Sequence, residues 1–193
     1  MRFKVFILLF ITLGTAANSQ VKYEREFRIL REQFPQASFE SVEPYLDGVR
    51  KLRFYKEIDS SRRSYEIKFK KDRLHYSVEF NEQEALEDVE VIIKPVDIPE
   101  EAWTTITKDL DSKWSKYKVR KIQQQYPREA FTSDSETFQK AFQNLILPEI
   151  RYEIVVRGKT EDGYRDYELL YDATGDLLLI RESLPPNYDH VLY

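Results

Sequence analysis

The 193-residue chain has no cysteine, two histidines, one methionine and five glycines. The missing thiol excludes disulfides, thiolate metal sites, a cysteine nucleophile and a lipid anchor on cysteine. His75 and His190 are too few for a histidine-based zinc site. The glycines stand singly, at 14, 48, 158, 163 and 175, so no Gly-rich phosphate cradle exists and no G-x-S-x-G motif occurs. Neither sign of charge dominates. The 30 Lys+Arg stand against 34 Asp+Glu, a net charge of −4, whereas a nucleic-acid binder should be basic. At 41% hydrophobic and 33% charged, the composition is that of a folded globular chain.

What is present begins with an export signal. Arg2 and Lys4 precede the apolar run Val5–Leu13, and Gly14-Thr15-Ala16-Ala17-Asn18-Ser19 supplies the small residues a signal peptidase needs. Cleavage is expected after Ser19, with Ala17 as the alternative. The run is too short to span a bilayer, which needs about 20 apolar residues. Removing these 19 residues, which hold two bases and no acid, leaves 174 residues and takes the net charge from −4 to −6. The expected location is the periplasm or the exterior. No membrane span is expected in the mature chain.

Three sequence blocks recur in the same order. Val49-Arg50-Lys51-Leu52 returns as Val119-Arg120-Lys121-Ile122. Tyr65-Glu66-Ile67 returns as Tyr152-Glu153-Ile154. Tyr76–Asn81 is echoed by Tyr167–Asp172. Within each copy, side chains alternate with period two. Tyr65, Ile67 and Phe69 are one example; Leu74, Tyr76, Val78 and Phe80 are another. Such alternation buries one face of a strand and wets the other. Strands are expected around Leu52–Phe54 and over 65–69, 74–80 and 89–93, then over 117–125, 151–157, 165–171 and 176–182. Asp162-Gly163 and Thr174-Gly175 are turn pairs.

Helices are expected before each first strand. Pro99-Glu100-Glu101 opens one carrying Trp103, Ile106, Leu110 and Trp114 at helical spacing, and Pro35 opens a shorter one with Phe39, Val42 and Leu46 inward. The fold class is therefore α+β: two tandem units, each a helix plus a four-stranded antiparallel sheet. The units span residues 35–94 and 95–183, between an N-terminal segment 20–34 and a tail 184–193. The pattern does not separate helix from strand over 21–33. The second unit carries an insertion at about 127–148, with a capping box from Ser133 to Glu136 and Phe138, Ala141, Phe142 and Leu145 at helical spacing.

No catalytic constellation emerges. His75 sits on the polar parity of a strand. Glu66 and Glu79 share a wet face with Lys68 and Lys70, where solubility pairing is the expected role. Asp172, Thr174 and Asp176 fit a plain turn better than a calcium loop. No metal and no cofactor is implied. The outward parity of the first sheet is polar: Glu66, Lys68, Lys70, His75, Ser77 and Glu79. That of the second carries Val155, Leu170, Leu178 and Ile180, and an exposed apolar sheet face is a contact site. These four, with Phe138 and Phe142 of the inserted helix, are the candidate partner-binding residues. The competing expectation is that the inserted helix covers this face.

The exported tandem layout, the Tyr-Glu-Ile strands (Tyr65–Ile67 and Tyr152–Ile154) and the closing Tyr171-Asp172-Ala173-Thr174-Gly175-Asp176-Leu177-Leu178 together resemble the PepSY-like group of small exported bacterial proteins. That group is related in architecture to the β-lactamase-inhibitor-protein fold. The likeness covers most of residues 35–182. The first copy departs from it at Asn81-Glu82-Gln83-Glu84-Ala85, which lacks the usual glycine. The resemblance implies a non-enzymatic module that binds or inhibits another exported or envelope protein, and no catalytic residues. The alternative is a small-ligand or lipid carrier with a cavity lined by Phe138, Phe142 and the second sheet.

Overall fold

The computed structural model describes residues 20–22, 24–59 and 62–183; the expected signal segment and the tail with His190 lie outside these. The strands are β1 (Gln20–Lys22), β2 (Glu24–Ile29), β3 (Arg50–Asp59), β4 (Arg62–Lys71), β5 (Leu74–Asn81), β6 (Leu86–Ile92), β7 (Tyr117–Pro127), β8 (Arg151–Thr160), β9 (Gly163–Asp172) and β10 (Leu177–Ser183). The helices are α1 (Gln36–Val42), α2 (Glu100–Lys113) and α3 (Asp134–Phe142). The eight expected strands are all present, and the open segment 21–33 resolves into strand followed by a 3₁₀ turn at Arg31–Gln33.

All the strands form one sheet, in the order β1-β10-β9-β8-β7-β6-β5-β4-β3-β2. Strands β2 to β10 are antiparallel throughout, and β1 runs parallel to β10. The two ends of this order are consecutive in the chain: β1 holds β10 at one edge, and β2, one residue later, holds β3 at the other. Consecutive Cα atoms are only about 3.8 Å apart. The sheet must therefore curl until its first and last edges meet on the segment 20–29.

Four β-bulges ease the curl, since an extra residue bends and twists its strand. They lie between Arg50 and Arg53, Glu79 and Phe80, Val119 and Lys121, and Leu177 and Leu179. The first and third fall on the recurring Val-Arg-Lys block. There Lys51 takes the left-handed φ of 58°.

Apolar residues fill the convex face in cross-strand rows. Phe54, Ile67, Val78, Val89 and Tyr126 stand side by side across five strands, and Ile122, Ile154, Leu169 and Ile180 across four. All but Ile180 are buried, and full burial of one such side chain contributes about 1.5–3 kcal/mol. The helices cap these rows. Helix α2 buries Ala102, Ile106 and Leu110, and its Asp109 accepts a 2.8 Å hydrogen bond from the Tyr171 hydroxyl on β9. Gly175, at φ 91°, lets the β9–β10 turn meet this helix: a Cβ there would lie 2.5 Å from the Ala102 carbonyl oxygen.

Helix α3 starts at Ser133, whose hydroxyl accepts from the Glu136 amide at 3.2 Å. Only half of the expected box forms, because the Glu136 carboxylate turns instead to the amide and hydroxyl of Thr132. Its Phe138 and Phe142 stack on each other and meet the Tyr45 ring at a tilt, and Phe142 also meets Phe69 and Tyr76. The inserted helix thus packs on the apolar side of β4 to β7. It does not cover the polar-parity face that carries Val155 and Leu170.

Two substitutions test this packing. A Cβ on Gly158 would sit 2.5 Å from the Trp114 indole nitrogen. Gly158→Ala should destabilise by about 1–3 kcal/mol, as overpacking does, with a lower melting temperature and a red-shifted tryptophan emission. Ser133→Ala should cost about 1 kcal/mol through loss of the α3 cap, measured by denaturant titration at unchanged m-value.

Candidate functional site

Curling turns the polar parity inward. The face read as wet becomes the lining of a cleft inside the sheet, open to solvent and divided into lobes of about 680 and 410 Å3. Strands β3 and β10 lie far apart in the sheet order, yet Glu57 and Arg181 line the same smaller lobe. The bulged Val-Arg-Lys blocks deliver Lys51 and, from the second copy, Arg120 and Lys121 to the larger lobe. Glu57, Glu79, Glu90 and Glu153 line both lobes and form an acidic belt between them.

Enclosure changes the chemistry of these charges. Glu66 is only 3% exposed and Glu79 is half-buried, so their expected role as surface solubility pairs is overturned. A buried carboxylate needs a partner, because desolvation penalises its charge. The first acidic triad, Glu26, Glu57 and Glu66, has one within the chain. The Lys68 ammonium lies 2.7 Å from Glu66 and 3.1 Å from Glu26. It also sits 4.8 Å from the centre of the Tyr55 ring. Burial pulls the Lys68 pKa down, but Glu66 and Glu26 outweigh it and hold the ammonium well above its ordinary value. The Ser77 hydroxyl donates to Glu66 from the next strand.

The second triad is built differently. Glu79 on β5 stands directly across from Asp88 on β6, and Glu90 is two residues further along β6. One carboxylate oxygen from each lies within 4.8 Å of the other two. Glu66, Glu79 and Asp88 also form a single cross-strand row of acids, an arrangement that destabilises a sheet when all are ionised. The hydrogen bonds here come from two amides. Gln125 donates to Asp88 at 3.0 Å, and Gln123 donates to Glu90. Among the described residues, no Lys or Arg forms an ion pair with the triad; Lys121 acts on Glu90 from beyond ion-pair distance. Burial raises all three carboxyl pKa values well above the ordinary range. Asp88 adds to the rise at Glu79, and Glu153 adds to it at Asp88 and Glu90.

The six candidate partner-binding residues do not form one surface. Val155 and Leu170 are diagonal neighbours on β8 and β9, half-buried in the cleft lining. Leu178 occupies the β10 bulge and is 52% exposed. That bulge reverses the parity expected from simple alternation, so Ile180 pairs with Leu169 and packs on the core, while Leu179 faces Leu170. Phe138 is buried and Phe142 packs beside it, on the opposite side of the sheet. His75 is exposed at the cleft. Asp172 spends its Oδ1 on Thr174 and the Asp176 amide, as a plain turn requires.

Alternation did flag Glu66 and Glu79 but gave them to solvent. It carried no signal for Asp88, Glu90, Gln123 and Gln125, which join the cleft through the β6–β7 pairing.

Comparison with solved structures gives a likeness of fold. A DUF2874 family protein from Bacteroides ovatus superposes with a TM-score of 0.52 at 12% identity, over 83% of this chain and 94% of its own. A candidate periplasmic protein from Bacteroides eggerthii gives 0.51 at 10% identity, over 81% and 93%. A BLIP-like protein from Bacteroides fragilis aligns at 0.49 and 12% identity, over 83% and 92%. The first two show a likeness of α+β architecture alone. No family model and no curated protein sequence matches the chain, so the PepSY-like resemblance rests on the motifs quoted above.

The second triad sets a pH dependence. A carboxyl whose pKa is raised by folding binds protons more tightly in the folded state, so stability is full below the unfolded pKa and falls as pH rises through the folded one. Asp172, whose pKa is lowered, acts only below about pH 4. In monovalent salt, the melting temperature should therefore rise on acidification from pH 8 to pH 5. Asp88→Asn should flatten that slope and raise the melting temperature at pH 8.

Proposed function

We propose that the chain is an exported, non-enzymatic binding module whose internal cleft receives a loop or tail of another envelope or secreted protein. The observation that carries this reading is the cleft itself: a two-lobed, acid-rich hollow with basic side chains at its margins. Such a lining favours an inserted segment bearing Lys or Arg. The location rests on the signal-like residues 1–19, with support from the fold neighbour described as periplasmic. Among the described residues no helix is long and apolar enough to cross a membrane.

The tandem reading is part of the same proposal. Residues 35–94 and 95–183 act as two copies of one helix-plus-meander unit, supported by the Val-Arg-Lys blocks that carry a bulge in both β3 and β7. Raised carboxyl pKa values also occur in hydrolases. An acid–base pair there needs one carboxyl neutral and its neighbour ionised, whereas all three groups here are pushed the same way. The second reading, a ligand carrier, uses the same cleft. Its charged lining fits a polar cation better than a lipid, because Phe138 and Phe142 line the other side of the sheet.

The test is retention of envelope and secreted proteins on immobilised mature protein, residues 20–193. A parallel bait carries Val155→Lys and Leu170→Lys, shown to be folded by circular dichroism. The expected outcome is a partner retained by the native cleft, lost from the variant, and released as salt rises from 50 to about 500 mM through screening. A partner held equally by both baits, or held regardless of salt, would refute the acidic cleft as the docking site.

A further inference from the structure

The cleft holds two acidic triads of similar size and enclosure, and the described residues place a cation within ion-pair distance of only one of them. At Glu26, Glu57 and Glu66, Lys68 supplies the positive charge within ion-pair distance. At Glu79, Asp88 and Glu90, no residue does so among those described. The Glu79 carboxylate has no hydrogen-bonding or ion-pair partner among them, although its backbone stands opposite Asp88 in the ladder. To be ionised together, three carboxylates at this spacing need a counter-charge, and the first triad shows what this fold otherwise uses.

Two further observations point to a ligand. Gln123 is 5% exposed, its amide nitrogen rests on Glu90, and its Oε1 has no hydrogen-bond donor. A half-turn of that amide presents Oε1 where Nε2 now sits. Asp88 is 9% exposed, and its Oδ1 also lacks a donor while Oδ2 accepts from Gln125. Buried oxygens left without donors are costly unless something else satisfies them.

From this arrangement we infer that Glu79, Asp88, Glu90 and the Gln123 amide oxygen form a binding site for a divalent cation, with calcium the ion whose chemistry fits best. The donors are hard oxygens, and the site has no nitrogen or sulfur ligand that would favour zinc or copper. Oxygens within 4.8 Å of one another can share one ion at the about 2.3–2.6 Å of calcium–oxygen bonds after small side-chain movements. Water from the smaller lobe, which Glu79, Asp88 and Glu90 all line, completes the shell. Magnesium demands a stricter octahedron than three carboxylates from two twisted strands offer. A lysine side chain from a partner is the competing occupant. It is less suited because Asp88 and Glu90 are nine-tenths buried, which favours a single atom over a side chain. The site does not depend on the partner reading, and the ion would neutralise the wall between the lobes.

Isothermal titration of CaCl2 into chelator-stripped mature protein (residues 20–193) tests the inference, with MgCl2 and MnCl2 in parallel and melting curves at each ion concentration. The expected result is one saturable calcium site per chain, bound at least tenfold more tightly than magnesium, with a melting temperature that climbs with calcium. Glu79→Gln and Asp88→Asn should each weaken calcium binding at least tenfold. Glu26→Gln, in the lysine-neutralised triad, should leave it unchanged. Absence of saturable calcium binding by the native protein up to 10 mM would overturn the site, whether or not the variants fold. So would calcium binding that survives both Glu79→Gln and Asp88→Asn, or that is lost equally in Glu26→Gln. Selective release of a Lys-rich peptide by calcium would support a shared site; binding of that peptide without any calcium effect on the protein would assign the triad to an amino group and refute the ion.

Discussion

One closure governs this molecule. The segment 20–29 belongs to both ends of the sheet, pairing with β10 through β1 and with β3 through β2. A flat meander with the same alternation would offer its polar parity to water, as antiparallel sheets commonly do. Once the edges are tied together, that parity faces itself. Glutamates placed by alternation alone then find themselves nine-tenths buried, and every charge on that face needs a reason to be there. The apolar parity, turned outward, needs the helices as cover. The three helices lie there, and α3 contributes the aromatic cluster around Tyr45, Phe69 and Tyr76.

The interior answers its charge problem by local pairing rather than by exclusion. Lys68 joins two carboxylates and a tyrosine ring, Arg181 lies 2.8 Å from Glu168, and Lys121 lies 3.6 Å from Glu153. Buried pairs of this kind contribute little net stability but fix position, since removal of one partner leaves the other uncompensated. The Glu79–Asp88–Glu90 group departs from this scheme. It sits where the two lobes meet, so the least compensated part of the interior is also the part most central to anything that enters.

Much of this was legible in the sequence. Period-two alternation located all eight long strands, and Pro35 and Pro99 stand at the entrances of α1 and α2. The recurring Val-Arg-Lys block was visible, but its meaning was not: in each copy it spans a bulge, and bulges leave no simple hydropathy trace. The same limit misplaced Ile180, because one extra residue at 177–179 moves everything after it to the other face. The inserted helix was recognised by its spacing, yet its docking on β4 to β7 depends on Tyr45, Phe69 and Tyr76, far away in the chain. The cleft was the least legible feature. Whether a polar face is surface or interior is decided by edge pairing between the chain's two ends, and no local window contains that.

The closure also imposes an order in time. Gln20 pairs with Arg181, and Lys22 with Ser183, so the first strand of the described chain is secured by the last. The hairpins β3–β4, β4–β5, β8–β9 and β9–β10 join near neighbours and can form as soon as their strands exist. The seam cannot, because it carries the largest loop-closure cost in the molecule. Without the β1–β10 pairing the same sheet has two unpaired edges, and nothing ties its polar parity away from water. Loop-closure entropy therefore sets the enclosed interior, alone among the features of this sheet, against the full length of the described chain.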